Sequence, residues 1–450
     1  MRRADLAAFS KSIAVQISKD SVMSNARYID YDPVAGAKAV ENLLSMFDAN
    51  EARNKVKGSL ALYNKYVKGM DDVGKLMIYA IIQGGVNGVL GEGLPGGGKT
   101  RSVEVIAAII GGRKFIVQGN PDLTPKDIMG SEWLDRADNR WRVSWSPMAR
   151  ANVVMGDEFN RLNSRCMSVF MSPMSEGRCT IAAPHSDGVD EDGNVSVSMH
   201  PVRTFLCVQN DVGSPDTNMV PPASYDRFLY MKNFLRINGS AEKELLMDES
   251  LGDREVLDRV AAERLLSLDE ILAIRQWIRK NMRVDERFID YQLAVVRATN
   301  PGTPEFIKLW RDNPAIRPIL DSIESGVSVR ANMALKRACQ VRAFVEGKDE
   351  DGVSPRQFVM PEDLHALAHN VFDHRLVLSN RAATRVGPGD ASKIDRFAND
   401  YPTDGTITLE QIVHRLNRPG KNPILPGHVT DVVMACLDHT QASDWAAVRR

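Results

Sequence analysis

The chain has 450 residues, enough for two or three domains, with 43% hydrophobic and 26% charged residues, an ordinary balance for a globular protein. A formal net charge of −1 excludes a bulk field that would draw it to nucleic acid or to a membrane surface. Cys166, Cys179, Cys207, Cys339 and Cys436 are scattered and form no C-x-x-C pair. They indicate neither a zinc site nor a disulfide framework, and reduced thiols in a cytoplasmic protein are expected.

The opening Met1-Arg2-Arg3-Ala4-Asp5 lacks the apolar core of a signal peptide. Residues 1–62 read as a helical extension in which Val40, Leu43, Leu44 and Phe47 share a face. The longest apolar run, Leu76 to Ile82, is far short of a membrane span. Val86 to Leu90 then reads as a buried strand leading into Gly93-Leu94-Pro95-Gly96-Gly97-Gly98-Lys99-Thr100, and Arg101 to Ile110 has helical apolar spacing. This G-x-x-x-x-G-K-T pattern between a strand and a helix is a phosphate-binding loop. Gly93, Pro95, Gly96, Gly97, Gly98 and their neighbours through Arg101 form the loop around the phosphates, and its backbone N–H groups, which Pro95 lacks, point at them. Lys99 reaches the β/γ oxygens and the Thr100 hydroxyl suits Mg²⁺.

From 100 to 235, strand candidates at Lys114–Val117, Val153–Met155, Thr204–Val208 and Phe228–Met231 alternate with helical patterns, which predicts a parallel sheet with crossover helices. The second of these strands delivers Asp157 and Glu158 to the carboxyl edge of the sheet, where ligands bind in such folds. Asp157 suits the Mg²⁺ shell and Glu158 suits orientation of an attacking water. If the Thr204–Val208 strand lies between the other two, Asn210 at its tip is placed to position that water. A plain turn asparagine is the competing reading. Arg227, in Asp226-Arg227-Phe228, is a candidate cationic finger for a neighbouring copy's site, set against a surface ion pair. Arg330, opening a long helix after Ser328-Val329, is a candidate γ-phosphate sensor with the same competing reading.

Residues 238–380 are almost purely helical in pattern, Ala383 to Ser392 reads as a linker, and helices are expected near Leu409–Leu416 and Val429–Asp438. The acidic stretch Asp187 to Asp192 lacks the calcium-loop pattern and reads as a solvated hairpin tip between Cys179–Ile181 and Val195–Val197. His365 and His369, four apart, lack the glutamate of a zinc-protease helix. Trp133, Trp141 and Trp145 fit packing better than base stacking. Arg161 and Arg165 are open between a neighbouring subunit and a local ion pair.

Taken in order, these elements resemble the MoxR-like branch of the AAA+ ATPases. The resemblance rests on Pro121-Asp122-Leu123 with Pro125, Asp127-Ile128 and Gly130; on Asp157-Glu158-Phe159-Asn160-Arg161; and on Met174-Ser175-Glu176-Gly177. Gln209-Asn210, Tyr225-Asp226-Arg227-Phe228, Arg297-Ala298-Thr299, Ser328-Val329-Arg330-Ala331 and Pro361-Glu362-Asp363 complete it, covering about residues 65–378. Asp211 stands where the family usually has proline, and the loop around His185–Asn194 is longer and more acidic than usual.

The resemblance implies an α/β nucleotide domain, here 63–237, and an all-α lid, here 238–380, with ATP bound between them; the helical extensions read at 1–62 and 381–450 have no counterpart in it. It implies ATP and Mg²⁺ as ligands and a homo-oligomeric ring, usually hexameric. It implies chaperone-like remodelling of a protein substrate, often with a partner carrying a von Willebrand factor A domain. A nucleotide-gated assembly scaffold with little turnover is the alternative function. Nucleic acid is not an expected partner, since no basic, aromatic-interleaved stretch is present.

Overall fold

A computed structural model describes residues 28–85, 88–93, 98–209, 220–234, 243, 253–349, 352, 354–379 and 426–441. The described residues fall into two compact units, one drawn from Met1–Gly91, Pro95–Gln209 and Arg236–Arg279, the other from Glu92–Leu94, Asn210–Leu235 and Lys280–Arg450.

In the first unit the sheet runs in the order Lys114–Gln118, Val153–Asp157, Thr204–Gln209, Gly88–Gly93. The first three are parallel, with Gln118 opposite Asp157 and Gly156 opposite Cys207. Strand 204–209 is buried at every position and 153–157 at all but Asp157. That continuous apolar character is what a sheet covered on both faces requires. Register at the amino edge is pinned by Asn152. Its Oδ1 accepts from the Arg113 N–H at 3.0 Å, and its Nδ2 donates to the Val202 carbonyl at 2.8 Å.

Helix Lys99–Ile110 follows the loop and packs against strands 114–118 and 153–157. Helix Asp71–Gln83 packs on strand 204–209 and buries Val73, Leu76, Ile78, Ile81 and Ile82. Each such side chain contributes ~1.5–3 kcal/mol relative to exposure. Its C-terminus is closed by buried Arg275, which donates to the Ile81 carbonyl at 2.6 Å and the Ile82 carbonyl at 2.9 Å. Those carbonyls have no partner within the helix, so a buried guanidinium is the appropriate donor.

The expected amino-terminal helices are Pro33–Ser45 and Ala49–Tyr66, capped by Asp32 and Asp48. Val40 is buried and Phe47 stacks on Trp277 with ring centroids 5.5 Å apart. Two antiparallel hairpins, Gly130–Asp135 with Arg140–Trp145 and Arg178–Ala182 with Asn194–Ser198, complete this unit.

The second unit holds helices Glu286–Ala298, Pro304–Asp312, Val329–Glu346 and Pro361–Phe372, with a short β pair, Ile323–Ser325 and Val377–Leu378. Strand Phe228–Phe234 lies against the 361–372 helix. Helix Pro426–Gln441 packs on 361–372 and 286–298 through Val429, Val432 and Val433. The strands and helices extend one to three residues beyond most sequence expectations. The expected helix near Leu409–Leu416 and the 383–392 linker lie outside the described residues.

Candidate nucleotide site

Strand 88–93 runs into the glycine loop, and helix 99–110 begins directly after Gly98. Gly98 is left-handed (φ 77°), a conformation that suits glycine. No side chain caps this helix and its first turn holds no acidic residue. The amino-terminal N–H groups at Lys99, Thr100 and Arg101 therefore start a helix whose dipole favours an anion. Pro95, Gly96 and Gly97 lie outside the described residues; Gly93, Gly98, Lys99, Thr100 and Arg101 are within them.

Lys99 is buried at 8% exposure. Burial pulls its ammonium below the ordinary lysine pKa, while the charges of Asp157 and Glu158 push the other way. The two carboxylates at the end of strand 153–157 thus act on the loop lysine, as the motif requires. Asp157 accepts from the Glu158 N–H at 3.0 Å. Glu158 itself is left-handed (φ 49°), uncommon for a residue with a side chain, and is followed by a tight turn, Phe159–Arg161. Phe159 and Asn160 are buried beneath that turn. Arg161 folds back onto Glu158, with Nη1 3.2 Å from Oε2. Of the two readings left open for Arg161, a local ion pair is what the chain shows.

Strand 204–209 lies between 153–157 and 88–93, the condition on which a role for Asn210 depends. Asn210 itself lies outside the described residues.

The stretch after strand 114–118 is fastened to the helix that follows Glu158. Asn163 caps helix Ser164–Glu176 by accepting from the Cys166 N–H at 3.0 Å, and its Nδ2 donates to the Leu123 carbonyl at 2.8 Å. Gly119 is a residue that the sequence reading missed. Its N–H donates to the Asp157 carbonyl at 2.7 Å, and a Cβ there would stand 2.1 Å from the Glu158 carbonyl oxygen. A glycine immediately after a strand was its one signal, because it permits close backbone approach. Tyr63 was missed as well. Its buried hydroxyl donates to Ser102 at 2.8 Å, and Ser102 bonds back to the Gly98 carbonyl at 3.1 Å.

Arg227 and Arg330 both belong to the second unit, Arg227 as the chain neighbour of Asp226 and Arg330 as its ion-pair partner. The Arg227 N–H donates to the Ser224 carbonyl at 3.1 Å. Ser328 caps helix 329–346 and donates its hydroxyl to Asp226 Oδ1 at 2.6 Å. Arg330 Nη1 stands 3.8 Å from Asp226 Oδ2. Buried Arg375 donates through Nε to Asp226 Oδ1 at 3.2 Å, and through its other nitrogens to the Phe228, Leu229 and Val371 carbonyls. Nothing in the sequence pattern pointed to Arg375.

The acidic tip is a hairpin end as expected, with Asp190 Oδ1 accepting from the Asn194 N–H at 2.8 Å. Glu132 accepts from the His185 N–H and the Ser186 hydroxyl, and Trp141 stacks on His185 with centroids 4.8 Å apart. Among the described residues no cluster of histidine, cysteine or acidic side chains forms a metal-binding group, and no helix is long and apolar enough to cross a membrane.

Comparison with known proteins agrees with this geometry. Residues 88–230 match the model for the ATPase family associated with various cellular activities (AAA), and residues 320–396 match the AAA lid domain. A crystal structure of a candidate ATPase from Cytophaga hutchinsonii shares the fold, with a TM-score of 0.60 at 23% identity over 79% of this chain and 96% of that one. The chaperone MoxR1 of Mycobacterium tuberculosis is 26% identical over 325 residues, 72% of this chain and 76% of that protein. Protein MoxR of Methylorubrum extorquens is 26% identical over 321 residues, 70% of this chain and 85% of that protein. The chain carries an AAA domain of parallel sheet and flanking helices and an AAA lid, and over 70% of its length it is similar to a protein named MoxR.

Proposed function

We propose that this protein is an ATP-hydrolysing ring motor that remodels or matures a partner protein or complex in the cytoplasm. The observation that carries the reading is the uncapped amino-terminus of helix 99–110, with Lys99 under the charge of Asp157 and Glu158. An exposed helix dipole, a buried lysine and two adjacent acids suit a triphosphate with its metal ion.

Residues 93–101 would hold the phosphates through backbone N–H groups and Lys99. Thr100 and Asp157 would hold Mg²⁺, which neutralises charge developing on the transferred phosphoryl. Glu158 and Asn210 would orient and polarise water. The family resemblance assigns Arg227, acting across a subunit boundary, and Arg330 to charge stabilisation. Little covalent help is needed for phosphoryl transfer, so positioning and electrostatics supply most of the acceleration. A finger that acts on a neighbour requires a closed ring, and a hexamer is the expected size. The relative from Mycobacterium tuberculosis is a chaperone by name, which supports remodelling of a protein substrate, with a von Willebrand factor A protein as candidate partner.

Glu158→Gln should keep ATP affinity within about twofold and lower phosphate release by ~100-fold or more, the scale of losing a positioned catalytic group. Undiminished release from that variant would overturn the role of Glu158. Nucleotide binding and assembly without release in the parent protein would leave the scaffold function in its place.

A further inference from the structure

Residues 28–32 precede helix Pro33–Ser45 and touch separate stretches of the first unit. An isolated parallel bridge joins Tyr28 to Ser198, the last residue of hairpin strand 194–198, and the Tyr28 side chain is hydrogen-bonded to that of Ser198. Tyr31 stands edge-on to Tyr28 with ring centroids 5.1 Å apart, and edge-on to His200 at 4.5 Å. Asp30 pairs with Arg113 and Arg150, which border the amino edge of the sheet. One short segment therefore joins the base of the hairpin to the edge from which strands 114–118 and 153–157 start.

The row of rings is uncharged. Burial, helped by the charges of Arg275 and Arg203, holds the His200 imidazole down at about 4, and burial pushes the Tyr31 phenol up to about 12. Edge-to-face packing of such rings adds attraction beyond the area they cover. The far end of the same hairpin is fastened separately, where Glu132 accepts from His185 and Ser186.

The contacts at the base are light. Tyr28, Ile29 and Tyr31 are half-buried and Asp30 is exposed. The Asp30 pairs leave the Arg113 side chain 62% and the Arg150 side chain 50% exposed, and surface pairs of that kind contribute little. The helix that follows does not depend on them. Asp32 caps it by accepting from the Val34 N–H at 2.8 Å and the Ala35 N–H at 3.2 Å, Pro33 opens it, and its Val40 is buried. The segment can thus leave its seat with helix 33–45 in place, a local opening well short of global unfolding.

We propose that residues 28–32 are a releasable strap that clasps the base of hairpin 178–198 to the amino edge of the sheet, and that its opening sets how freely the hairpin moves. The rings of Tyr28, Tyr31 and His200 are the clasp, and Asp30 guides the strap to its seat. The strap is a device of the fold that stands apart from the ATPase reading, and its test needs no nucleotide.

Hydrogen exchange read by mass spectrometry on the full chain compares the parent with Tyr31→Ala, Tyr28→Ala/Tyr31→Ala, Tyr31→Phe, Asp30→Asn and Gly36→Ala. Tyr31→Ala should speed exchange of residues 194–200 by ~3- to 10-fold, the scale of one or two aromatic contacts, and the double variant by more. Tyr31→Phe keeps the ring and should match the parent. Asp30→Asn should stay within ~2-fold of it, the scale of an exposed pair. Helix 99–110 should exchange at the parent rate throughout.

Unchanged exchange at 194–200 in both Tyr31→Ala and the double variant overturns the inference. So does equal acceleration at 194–200 and across helix 99–110, which would make Tyr31 ordinary packing. Should the alanine variants fail to fold, Gly36→Ala decides. It retains both tyrosines, but its Cβ would stand 2.3 Å from the Tyr31 hydroxyl oxygen and must push that side chain aside. Faster exchange at 194–200 in this variant supports the strap, and exchange at the parent rate overturns it. Phosphate release by the parent bears on the ATPase reading alone.

Discussion

Glu158 meets one arginine at 3.2 Å across a partly exposed turn, whereas Asp226 accepts from both Ser328 and Arg375, whose side chain is 2% exposed. Both carboxylates sit beside residues assigned to the chemistry, yet they are held for opposite ends. Asp226 Oδ1 is saturated by a helix cap and a buried guanidinium, and the same guanidinium donates to four backbone carbonyls, those of Asp226, Phe228, Leu229 and Val371. That fixes the turn bearing Arg227 to the start of the helix bearing Arg330. Glu158 pairs with an arginine whose side chain is 37% exposed and has a left-handed backbone, an arrangement suited to a group that must move. The lesson is that the burial of the partner, more than the presence of an ion pair, separates a fixed carboxylate from a poised one.

The sharpest way to break this comparison is Arg375→Met. Removing the buried cation takes one of two donors from Asp226 Oδ1, which keeps Ser328, and takes a donor from the carbonyls of Asp226, Phe228, Leu229 and Val371. The expected cost is ~3–5 kcal/mol, the scale for breaking a buried pair from one side. Urea unfolding monitored on the second unit would show it. A midpoint unchanged from the parent would mean that Asp226 is no more firmly held than Glu158.

Gly119→Ala tests the other carboxylate. A Cβ at 2.1 Å from the Glu158 carbonyl must displace the backbone of the catalytic turn. The expected stability loss is ~1–3 kcal/mol, the scale of overpacking. Turnover should fall by more than ATP affinity does, because the displaced group is Glu158 and not the phosphate loop. Equal losses in kcat and affinity would show that Gly119 supports the whole site and not this turn.

How much of this was legible in the sequence divides along the same line. The phosphate loop is one contiguous segment and Asp157-Glu158 another, and each follows a strand candidate, so local pattern located them. Strand order was only a condition in the sequence, and the structure supplied it by setting 204–209 between 153–157 and 88–93. Gly119 was invisible because its importance comes from a backbone on another strand. Arg375 lies 149 residues from Asp226, and a lone arginine after a helix carries no pattern. The turn that pairs Arg161 with Glu158 depends on a positive φ that no glycine announced. Tertiary contacts between distant residues, unlike periodicity, leave no local trace.

Tyr63→Phe probes how far the first unit depends on its amino-terminal helices. The variant removes only the hydroxyl that bonds Ser102, which keeps its contact with the Gly98 carbonyl. About 1 kcal/mol of stability should be lost, the net worth of one buried hydrogen bond. A thermal shift assay reads it, and no change would detach helix 49–66 from the support of the loop.

The smallest effect is expected where the second unit meets its carboxy-terminal helix. His369 sits between Asp373 at 3.2 Å and Asp431 at 2.9 Å, and Thr430 donates to Asp373 at 2.7 Å. Partial burial opposes the charged imidazole, but the two carboxylates outweigh it and hold the pKa well above the ordinary histidine value. Because the folded value is the higher one, the stabilisation is fully present below an unfolded pKa of ~6.5 and is lost as pH rises through the folded pKa. With the ring half exposed, screening limits it to ~0.2–1 kcal/mol. Limited proteolysis of residues 426–441 should therefore quicken on moving from about pH 6 to about pH 9, after correction for protease activity. His369→Ala should remove that pH dependence and cleave at the faster rate throughout. Equal protection at both pH values in the parent would show that Val429, Val432 and Val433 alone hold the helix, leaving this ion pair as incidental as the Asp226 cluster is binding.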